Sequence, residues 1–180
     1  MNRQGQSLDA ENERISIYWS SRSPFVRSVM IAIHELGLAE KVDTKAVVVN
    51  GINEVEELEA LNPLTQIPTL IMPDGTTVYD SRVIIDYLDA EFGSRALFPT
   101  DYPRRLDVLR RAALAQGLTE KAMRWLLERF RPAEAQNEVL MRALARTVNV
   151  TLDAIEGDTP NWSELSNDAG HIMLASILGY

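Results

Sequence analysis

The chain has 180 residues, 46% of them apolar and 24% charged, which is ordinary for a globular protein and enough for one domain or two small ones. Its 26 acidic residues outnumber the 18 basic ones, and the net charge of −8 argues against a broad nucleic-acid or anionic-membrane surface. The absence of cysteine excludes disulfide scaffolds, thiol nucleophiles and Cys-based metal sites, and only two histidines are present.

The start of the chain is polar and contains no hydrophobic block. We expect a flexible lead over 1–14 rather than a secretory signal. No run in the sequence reaches the roughly 20 apolar residues that a membrane span needs. We therefore expect a soluble, cytoplasmic protein without metal, whose partners include neither a membrane nor nucleic acid.

The first half alternates strand patterns with helix patterns. Runs rich in β-branched residues predict four strands: 15–19, 42–49, 68–72 and 76–79. Apolar residues at helical spacing predict one helix from 24 to Gly37 and one beginning at Ser81, and the acidic run over 54–61 predicts a short helix between them. Asp74-Gly75 predicts a tight turn between the last two strands. The order βαβαββα implies a parallel pair of strands extended by an antiparallel hairpin.

The second half shows only helical patterns. Two prolines within 94–103 predict a linker, and three helices are expected after it: 104–129, about 133–156 and about 169–180. We therefore predict an α/β domain over 15–98 and an all-helical domain over 104–180.

Three serines lie between the first strand and the first helix: Ser20, Ser21 and Ser23. Serine followed by proline at a helix start is typical of an N-cap, in which the hydroxyl accepts a free backbone N–H. A helix N-terminus also carries partial positive charge, so that a hydroxyl there can help to bind an anion. From the residues alone, the cap is the simpler interpretation.

Two other segments carry candidate chemistry. Ahead of a strand lies Gln66-Ile67-Pro68, whose ordinary interpretation is a trans turn proline; a cis Pro68 would instead turn the Ile67 backbone toward an extended peptide. Asp80-Ser81 opens a helix, either as a cap or as a clamp for the carboxylate and ammonium of an amino acid. With the serine loop, these segments are expected at one end of the sheet, where they would suit a small peptide bearing a thiolate.

Three motifs stand in order along the chain: Tyr18-Trp19 followed by Ser23-Pro24-Phe25-Val26-Arg27, Asn62-Pro63-Leu64 followed by Ile67-Pro68-Thr69-Leu70, and Asp80-Ser81 followed by Ile84, Tyr87 and Leu88. Together they resemble the glutathione transferase superfamily, strongly over 15–98 and weakly after 104. The resemblance implies an α/β plus all-α fold: a thioredoxin-like N-terminal domain with a cis proline at Pro68, and a C-terminal helical bundle domain. In this resemblance, Asp168 takes the cap position of the family's buried core helix. Because the family continues with further helix, the helical domain is expected to be truncated; the alternatives are that segments were omitted from the chain or that it is a divergent short member.

The resemblance also implies which hydroxyl faces the glutathione sulfur. Ser23 matches the serine-type members, with Ser21 and Ser20 as alternatives. Tyr18 is a further candidate, although its position inside a strand favours packing. Relatives with cysteine at this place act through a protein thiol, which this chain lacks.

The same resemblance assigns the remaining contacts of the ligand and the electrophile. The implied glutathione-binding residues are Ile67 and Pro68 at the cysteinyl backbone, Asp80 and Ser81 at the γ-glutamyl end, and Gln66 with Asn53 at the glycyl end. The implied residues of the electrophile site are Phe25, Leu118 and Met123.

The activity implied by the resemblance is that of a dimeric, detoxifying glutathione transferase, with glutathione as cosubstrate and a small hydrophobic electrophile as the second substrate. Two alternatives stay open. One is a glutathione-dependent isomerase, ether-cleaving enzyme or dehalogenase. The other is a non-catalytic binding or regulatory protein of the same fold.

Overall fold

The structure is a computed structural model that describes residues 14–50, 53–159 and 167–180. The chain divides into two compact units, one within Met1–Thr100 and one within Asp101–Tyr180. The predicted flexible lead lies outside the described residues, apart from its last residue, Arg14.

In its described residues, the first unit is a four-stranded sheet with three α-helices and a short 3₁₀ turn (Ala39–Lys41). Its elements are β1 (Ile15–Trp19), α1 (Pro24–Glu35), β2 (Val42–Ala46), α2 (Glu56–Leu61), β3 (Thr69–Ile71), β4 (Thr77–Val78) and α3 (Ser81–Phe92). The strand order is β2-β1-β3-β4, with β1 and β2 parallel and the other two pairs antiparallel. The predicted element order and the mixed sheet are confirmed.

The strand predicted over 42–49 is three residues too long, since β2 ends at Ala46. The reason is its partner: β1 ends at Trp19, opposite Ala46, and only the Val47 N–H reaches back to the Trp19 carbonyl, at 3.0 Å. The apolar residues beyond that point have no strand to pair with. A β-branched run predicts a strand only as far as a neighbour continues beside it.

The core of the first unit lies between the sheet and the helices α1 and α3, which pack against each other. The fully buried apolar side chains of this core include Ile17, Val29, Ile33, Leu70, Ile84, Ile85, Leu88 and Phe98. They recur at strand spacing or at helical spacing, which is why the sequence predicts these elements well.

A buried carboxylate holds the segment that follows α3. Asp89 is fully buried, and its two oxygens accept the backbone N–H groups of Leu97 at 3.0 Å and Phe98 at 2.6 Å. The Asp89 side chain therefore supplies the hydrogen bonds that this irregular backbone would lose on leaving water. Helical periodicity places Asp89 on α3 but gives no sign of this contact.

The second unit is entirely helical in its described residues. It comprises α4 (Tyr102–Arg129), a short 3₁₀ turn (Ala133–Ala135), α5 (Glu138–Asp158) and α6 (Ala169–Leu178). The helix expected from about 133 begins at Glu138, after the 3₁₀ turn, where the Asn137 side chain caps it by accepting the Leu140 N–H at 3.0 Å. The other two predicted helices are confirmed to within two residues at each end.

The last helix, α6, is anchored at its first turn. The Asp168 carboxylate accepts the His171 N–H at 3.1 Å, which confirms the predicted cap. The same carboxylate pairs with the Arg111 guanidinium of α4. Most of α6 is buried, consistent with its lack of a polar face.

Gly170 allows α6 to approach α4 closely. A Cβ at this position would lie 2.6 Å from the Cβ of Arg111 and 3.1 Å from the Val108 carbonyl oxygen. Because helix backbone and a Cβ next to it cannot move aside cheaply, we expect Gly170→Ala to lower the free energy of unfolding by about 2 kcal/mol. The midpoint of urea unfolding measures the change.

Gly117 provides the matched control for this substitution. It lies in α4 of the same unit, and nothing lies within 4 Å of the position that its Cβ would take. Gly117→Ala should raise the free energy of unfolding by about 0.5 kcal/mol or more, through helix propensity alone. Equal stability of the two alanine variants would refute the close approach at Gly170.

Candidate functional site

The strand register of the first unit brings the three candidate segments to one edge of the sheet. Tyr18, next to the end of β1, pairs with Thr69 at the start of β3. Val78, at the end of β4, pairs with Leu70. The serine loop after β1, the segment before Thr69 and the segment after Val78 therefore leave the sheet at the same edge. The predicted convergence follows from this antiparallel pairing.

Ser23 is the N-cap of α1. Its Oγ accepts the Val26 N–H at 3.3 Å, and Pro24 occupies the first turn without an N–H of its own. Among the hydrogen bonds of the described residues, neither the Ser23 hydroxyl proton nor the Phe25 N–H has an acceptor. Two donors are thus available at the positive end of the helix dipole, where they suit an anion. The cap and the anion-binding interpretation are compatible.

The other hydroxyls considered for this role have different surroundings. Ser21 is exposed, and the Ser20 Oγ accepts the Arg22 N–H at 3.4 Å. Tyr18 is 3% exposed, and the Lys45 ammonium lies 5.4 Å from the centre of its ring. Burial, together with the negative charge of Glu57, raises the pKa of the Tyr18 phenol to about 12. Tyr18 has the surroundings of a packed residue.

The segment before β3 presents free backbone groups. The Ile67–Pro68 peptide bond is cis, and Pro68 is buried. Across the described ranges, neither the N–H nor the carbonyl of Ile67 takes part in a hydrogen bond. An extended peptide can add to such a segment as a strand would, exchanging main-chain hydrogen bonds with it.

Two residues that sequence reasoning does not single out support this segment from beneath. The Asn62 side chain donates to the Gln66 carbonyl at 3.2 Å and to the Thr69 Oγ1 at 2.9 Å. The Thr69 hydroxyl donates to the same carbonyl at 2.7 Å. Asn62 and Thr69 are 1% and 0% exposed. A buried Asn whose amide is fully used is a signal that only the tertiary contacts reveal.

Asp80 and Ser81 lie at the start of α3. The Asp80 Oδ1 accepts the N–H groups of Arg82 at 3.2 Å and Val83 at 3.4 Å, so Asp80 is the N-cap. Ser81 is 2% exposed, and its hydroxyl makes no hydrogen bond within the described part of the chain. This buried hydroxyl at a helix N-terminus is a donor suited to a carboxylate.

The two residues proposed for the glycyl end differ in their freedom. Gln66 is exposed, and only its backbone carbonyl is held within the loop. The Asn53 side chain is used within its own loop: it donates to the Val48 carbonyl at 2.6 Å and accepts the Asn50 N–H at 3.0 Å. Of the two, Gln66 keeps its side chain available.

The residues expected at the electrophile site lie in different units. Phe25 is half-buried in α1 of the first unit. Leu118 and Met123 lie in α4, and Leu118 is 4% exposed. Five residues apart, Leu118 and Met123 lie about 140° apart around the helix, so they do not share one face. The assignment of these three residues to an electrophile site stays a prediction.

Two properties of the described residues bear on partners. Within residues 14–50, 53–159 and 167–180, no three acidic or histidine side chains are grouped as metal ligands would be. None of the helices in these ranges is long and apolar enough to cross a membrane.

Similarity to known proteins identifies the family. The family model described as "Glutathione S-transferase, N-terminal domain" matches residues 22–91 of the chain. A glutathione transferase family member from Pseudomonas fluorescens Pf-5, solved with bound glutathione, is 30% identical, with a TM-score of 0.88 over 92% of this chain and 82% of that one. The chain belongs to the glutathione transferase superfamily.

Other relatives agree with this assignment. A glutathione S-transferase from Methylobacillus flagellatus KT, solved with glutathione bound, is also 30% identical, with a TM-score of 0.81 over 92% of this chain and 82% of that one. The uncharacterized GST-like protein YibF of Escherichia coli K12 is 30% identical over 138 residues, or 77% of this chain and 66% of its own length. The chain spans between 66% and 37% of the curated relatives that it matches.

Membership of the glutathione transferase superfamily confirms the predicted fold class. The thioredoxin-like N-terminal part and the helical C-terminal part match those of the solved glutathione transferases. Assignment to the serine-type members stays a prediction, because it depends on which hydroxyl meets the sulfur.

Proposed function

We propose that the protein binds glutathione and activates its thiol for attack on a hydrophobic electrophile. One observation carries the proposal: four donors without an acceptor in the described residues belong to segments that meet at one sheet edge. They are the hydroxyls of Ser23 and Ser81 and the N–H groups of Phe25 and Ile67. Glutathione offers matching acceptors in its thiolate, its cysteinyl carbonyl and its γ-glutamyl carboxylate.

Activation is a matter of thiol pKa. A free thiol has a pKa of about 8.5 and is mostly protonated at pH 7. Each unit by which the pKa falls requires about 1.4 kcal/mol of preferential stabilisation of the anion. The Ser23 hydroxyl, the Phe25 N–H and the dipole of α1 are a reasonable source of one to two units, about 1.4–2.7 kcal/mol.

The reaction follows from this arrangement. Glutathione loses its thiol proton to solvent, and the Ser23 hydroxyl donates a hydrogen bond to the resulting thiolate. The sulfur lone pair then forms a bond to the electrophilic carbon, while the leaving group departs with its bonding electrons. No protein thiol or metal is needed for these steps.

Binding and turnover test the proposal together. We expect the protein to be retained on glutathione-agarose, to be eluted by free glutathione, and to conjugate a general aryl halide. Ser81→Ala should weaken glutathione binding about tenfold, because a hydrogen bond to a charged carboxylate is lost. Isothermal titration calorimetry measures this change.

A hydroxyl in the second unit provides the control. Thr147→Ala removes a hydrogen bond to the Ala143 carbonyl in α5 and should leave glutathione affinity unchanged. Absence of glutathione binding by the unmodified protein would contradict the proposal as a whole. Binding without conjugation of any electrophile would instead favour a non-catalytic binding protein of the same fold.

A further inference from the structure

We propose that Asn62 and Thr69 are positioning residues for glutathione: they hold the Gln66 carbonyl inward and thereby aim the Ile67 N–H at the ligand. This inference rests on the proposed function, because it concerns the same site. It assigns a role to two side chains that are buried, at 1% and 0% exposed.

The Gln66 carbonyl is held by two hydrogen bonds from buried side chains. The Asn62 amide lies 3.2 Å from the carbonyl oxygen and the Thr69 hydroxyl lies 2.7 Å from it. The Asn62 amide also donates to the Thr69 hydroxyl oxygen at 2.9 Å, so that Asn62, Thr69 and the Gln66 carbonyl form one hydrogen-bonded cluster. The Asn62 Oδ1 accepts the Leu64 N–H at 3.0 Å, so that each polar atom of this amide is used.

Peptide geometry transmits this restraint to Ile67. The cis peptide bonds of the described chain are Ile67–Pro68 and Tyr79–Asp80, so the bond between Gln66 and Ile67 is trans. In a planar trans peptide, the carbonyl and the following N–H point in opposite directions. Because the Gln66 carbonyl points into the buried cluster, the Ile67 N–H points away from it and stays without an acceptor among the described residues.

The cluster is attached to rigid elements on both sides. The Asn62 N–H bonds the Leu58 carbonyl of α2 at 2.8 Å, and Thr69 begins β3 opposite Tyr18. The loop between them includes Thr65, whose φ of 49° is uncommon for a β-branched residue. A donor held on such a base loses little freedom when it binds, which favours affinity.

A purely structural role would predict a different outcome. If the cluster only stabilised the fold, its loss would lower stability without changing the affinity of the folded protein for glutathione. If it positions the Ile67 N–H, its loss should weaken glutathione binding and leave the electrophile step unaffected. Measuring the affinity for glutathione and the KM for the electrophile therefore distinguishes a positioning role from a purely structural one.

The test compares Thr69→Val with Thr69→Ser. Valine keeps the shape of threonine but removes both hydrogen bonds of the hydroxyl, whereas serine keeps the hydroxyl. For Thr69→Val we expect the Kd and KM for glutathione to rise about five- to tenfold, with the KM for the electrophile unchanged. Thr69→Ser should return both values to within about twofold of the unmodified protein.

Ile85→Val is the control for a loss of stability alone. Ile85 is fully buried in α3 and has no polar atom in its side chain. Its replacement should lower the urea midpoint while leaving the Kd for glutathione unchanged. If Ile85→Val also raised the Kd for glutathione, then loss of stability alone would weaken binding, and the inference would be overturned.

A measurement on the unmodified protein covers the case in which Thr69→Val does not fold. Saturating glutathione should slow hydrogen exchange at the Ile67 N–H by about tenfold or more, as read by NMR, because that group then donates to the ligand. Unchanged exchange at Ile67 in the glutathione complex would overturn the inference, as would a Thr69→Val variant with unaltered affinity. In both cases the proposed function would stand, whereas a protein that binds no glutathione would remove both.

Discussion

Replacing Ser23 by alanine is expected to lower kcat/KM for glutathione conjugation about 100-fold, while the Kd for glutathione stays within about threefold. The reason is that the hydroxyl donor matters most for the thiolate, whereas the peptide backbone and the γ-glutamyl group are bound elsewhere. The thiol pKa of bound glutathione should rise at the same time. A pH titration of the ultraviolet absorbance of the thiolate measures that pKa, and stopped-flow kinetics measure conjugation.

The complication is that Ser23 also caps α1, with its Oγ 3.3 Å from the Val26 N–H. Alanine removes the cap as well as the donor, at a cost of about 1 kcal/mol in stability. Ser23→Asp separates the two effects, since aspartate caps a helix as well as serine does but offers no donor and repels a thiolate. We expect Ser23→Asp to keep the stability and lose the activity.

Two further alanine variants complete this experiment. Ser20→Ala and Ser21→Ala should retain activity within about threefold, because neither hydroxyl is the cap of α1. Wild-type turnover by Ser23→Ala, combined with a large loss in either of the other variants, would move the catalytic role to that serine. Full activity in all three variants would refute the assignment of a serine to the sulfur.

Asp89→Ala is expected to lower the free energy of unfolding by about 3 kcal/mol. The substitution removes the carboxylate that accepts the N–H groups of Leu97 and Phe98 in a fully buried place. Each buried donor that loses its partner costs about 1–3 kcal/mol. A Cβ remains, so the change is chiefly the loss of two hydrogen bonds rather than of packing. Urea unfolding followed by far-ultraviolet circular dichroism measures it.

Asp86→Asn supplies the matched control on the same helix. Asp86 pairs with Arg95 at 2.7 Å, but both side chains are 36% exposed. Removing such a pair should change stability by less than about 1 kcal/mol. A stability loss for Asp89→Ala no larger than that for Asp86→Asn would show that water replaces the carboxylate, and would contradict the structural role given to Asp89.

Much of the fold can be predicted from local patterns because the patterns are those of the buried faces. Ile33 on α1 and Ile84 on α3 recur at helical spacing with other apolar residues, and Ile17 lies in a β-branched run. The ends of elements were less predictable. The strand predicted to Val49 ends at Ala46, because strand length depends on a partner that is distant in sequence.

Some residues of the candidate site could be predicted from local motifs, and others could not. Ser23, Ile67 and Ser81 could be singled out because helix starts and the residue before a strand proline are visible as local motifs. Asn62, Thr69 and Asp89 could not, since each acts on backbone groups whose position depends on the folded loop. The amino-acid pattern does not predict that the Gln66 carbonyl accepts hydrogen bonds from two side chains. It also does not predict that the Phe98 N–H donates to Asp89.

The sequence by itself determined the order of elements, the absence of a protein thiol and the membership of a superfamily, because these depend on residue type and on spacing along the chain. The tertiary structure decided which polar atoms form hydrogen bonds within the protein and which stay available to a ligand. Only the register of Thr69 against Tyr18, and of Val78 against Leu70, brings three separate segments to one sheet edge. The physical reason is that a hydrogen bond depends on distances between atoms far apart in sequence, which local propensity does not encode.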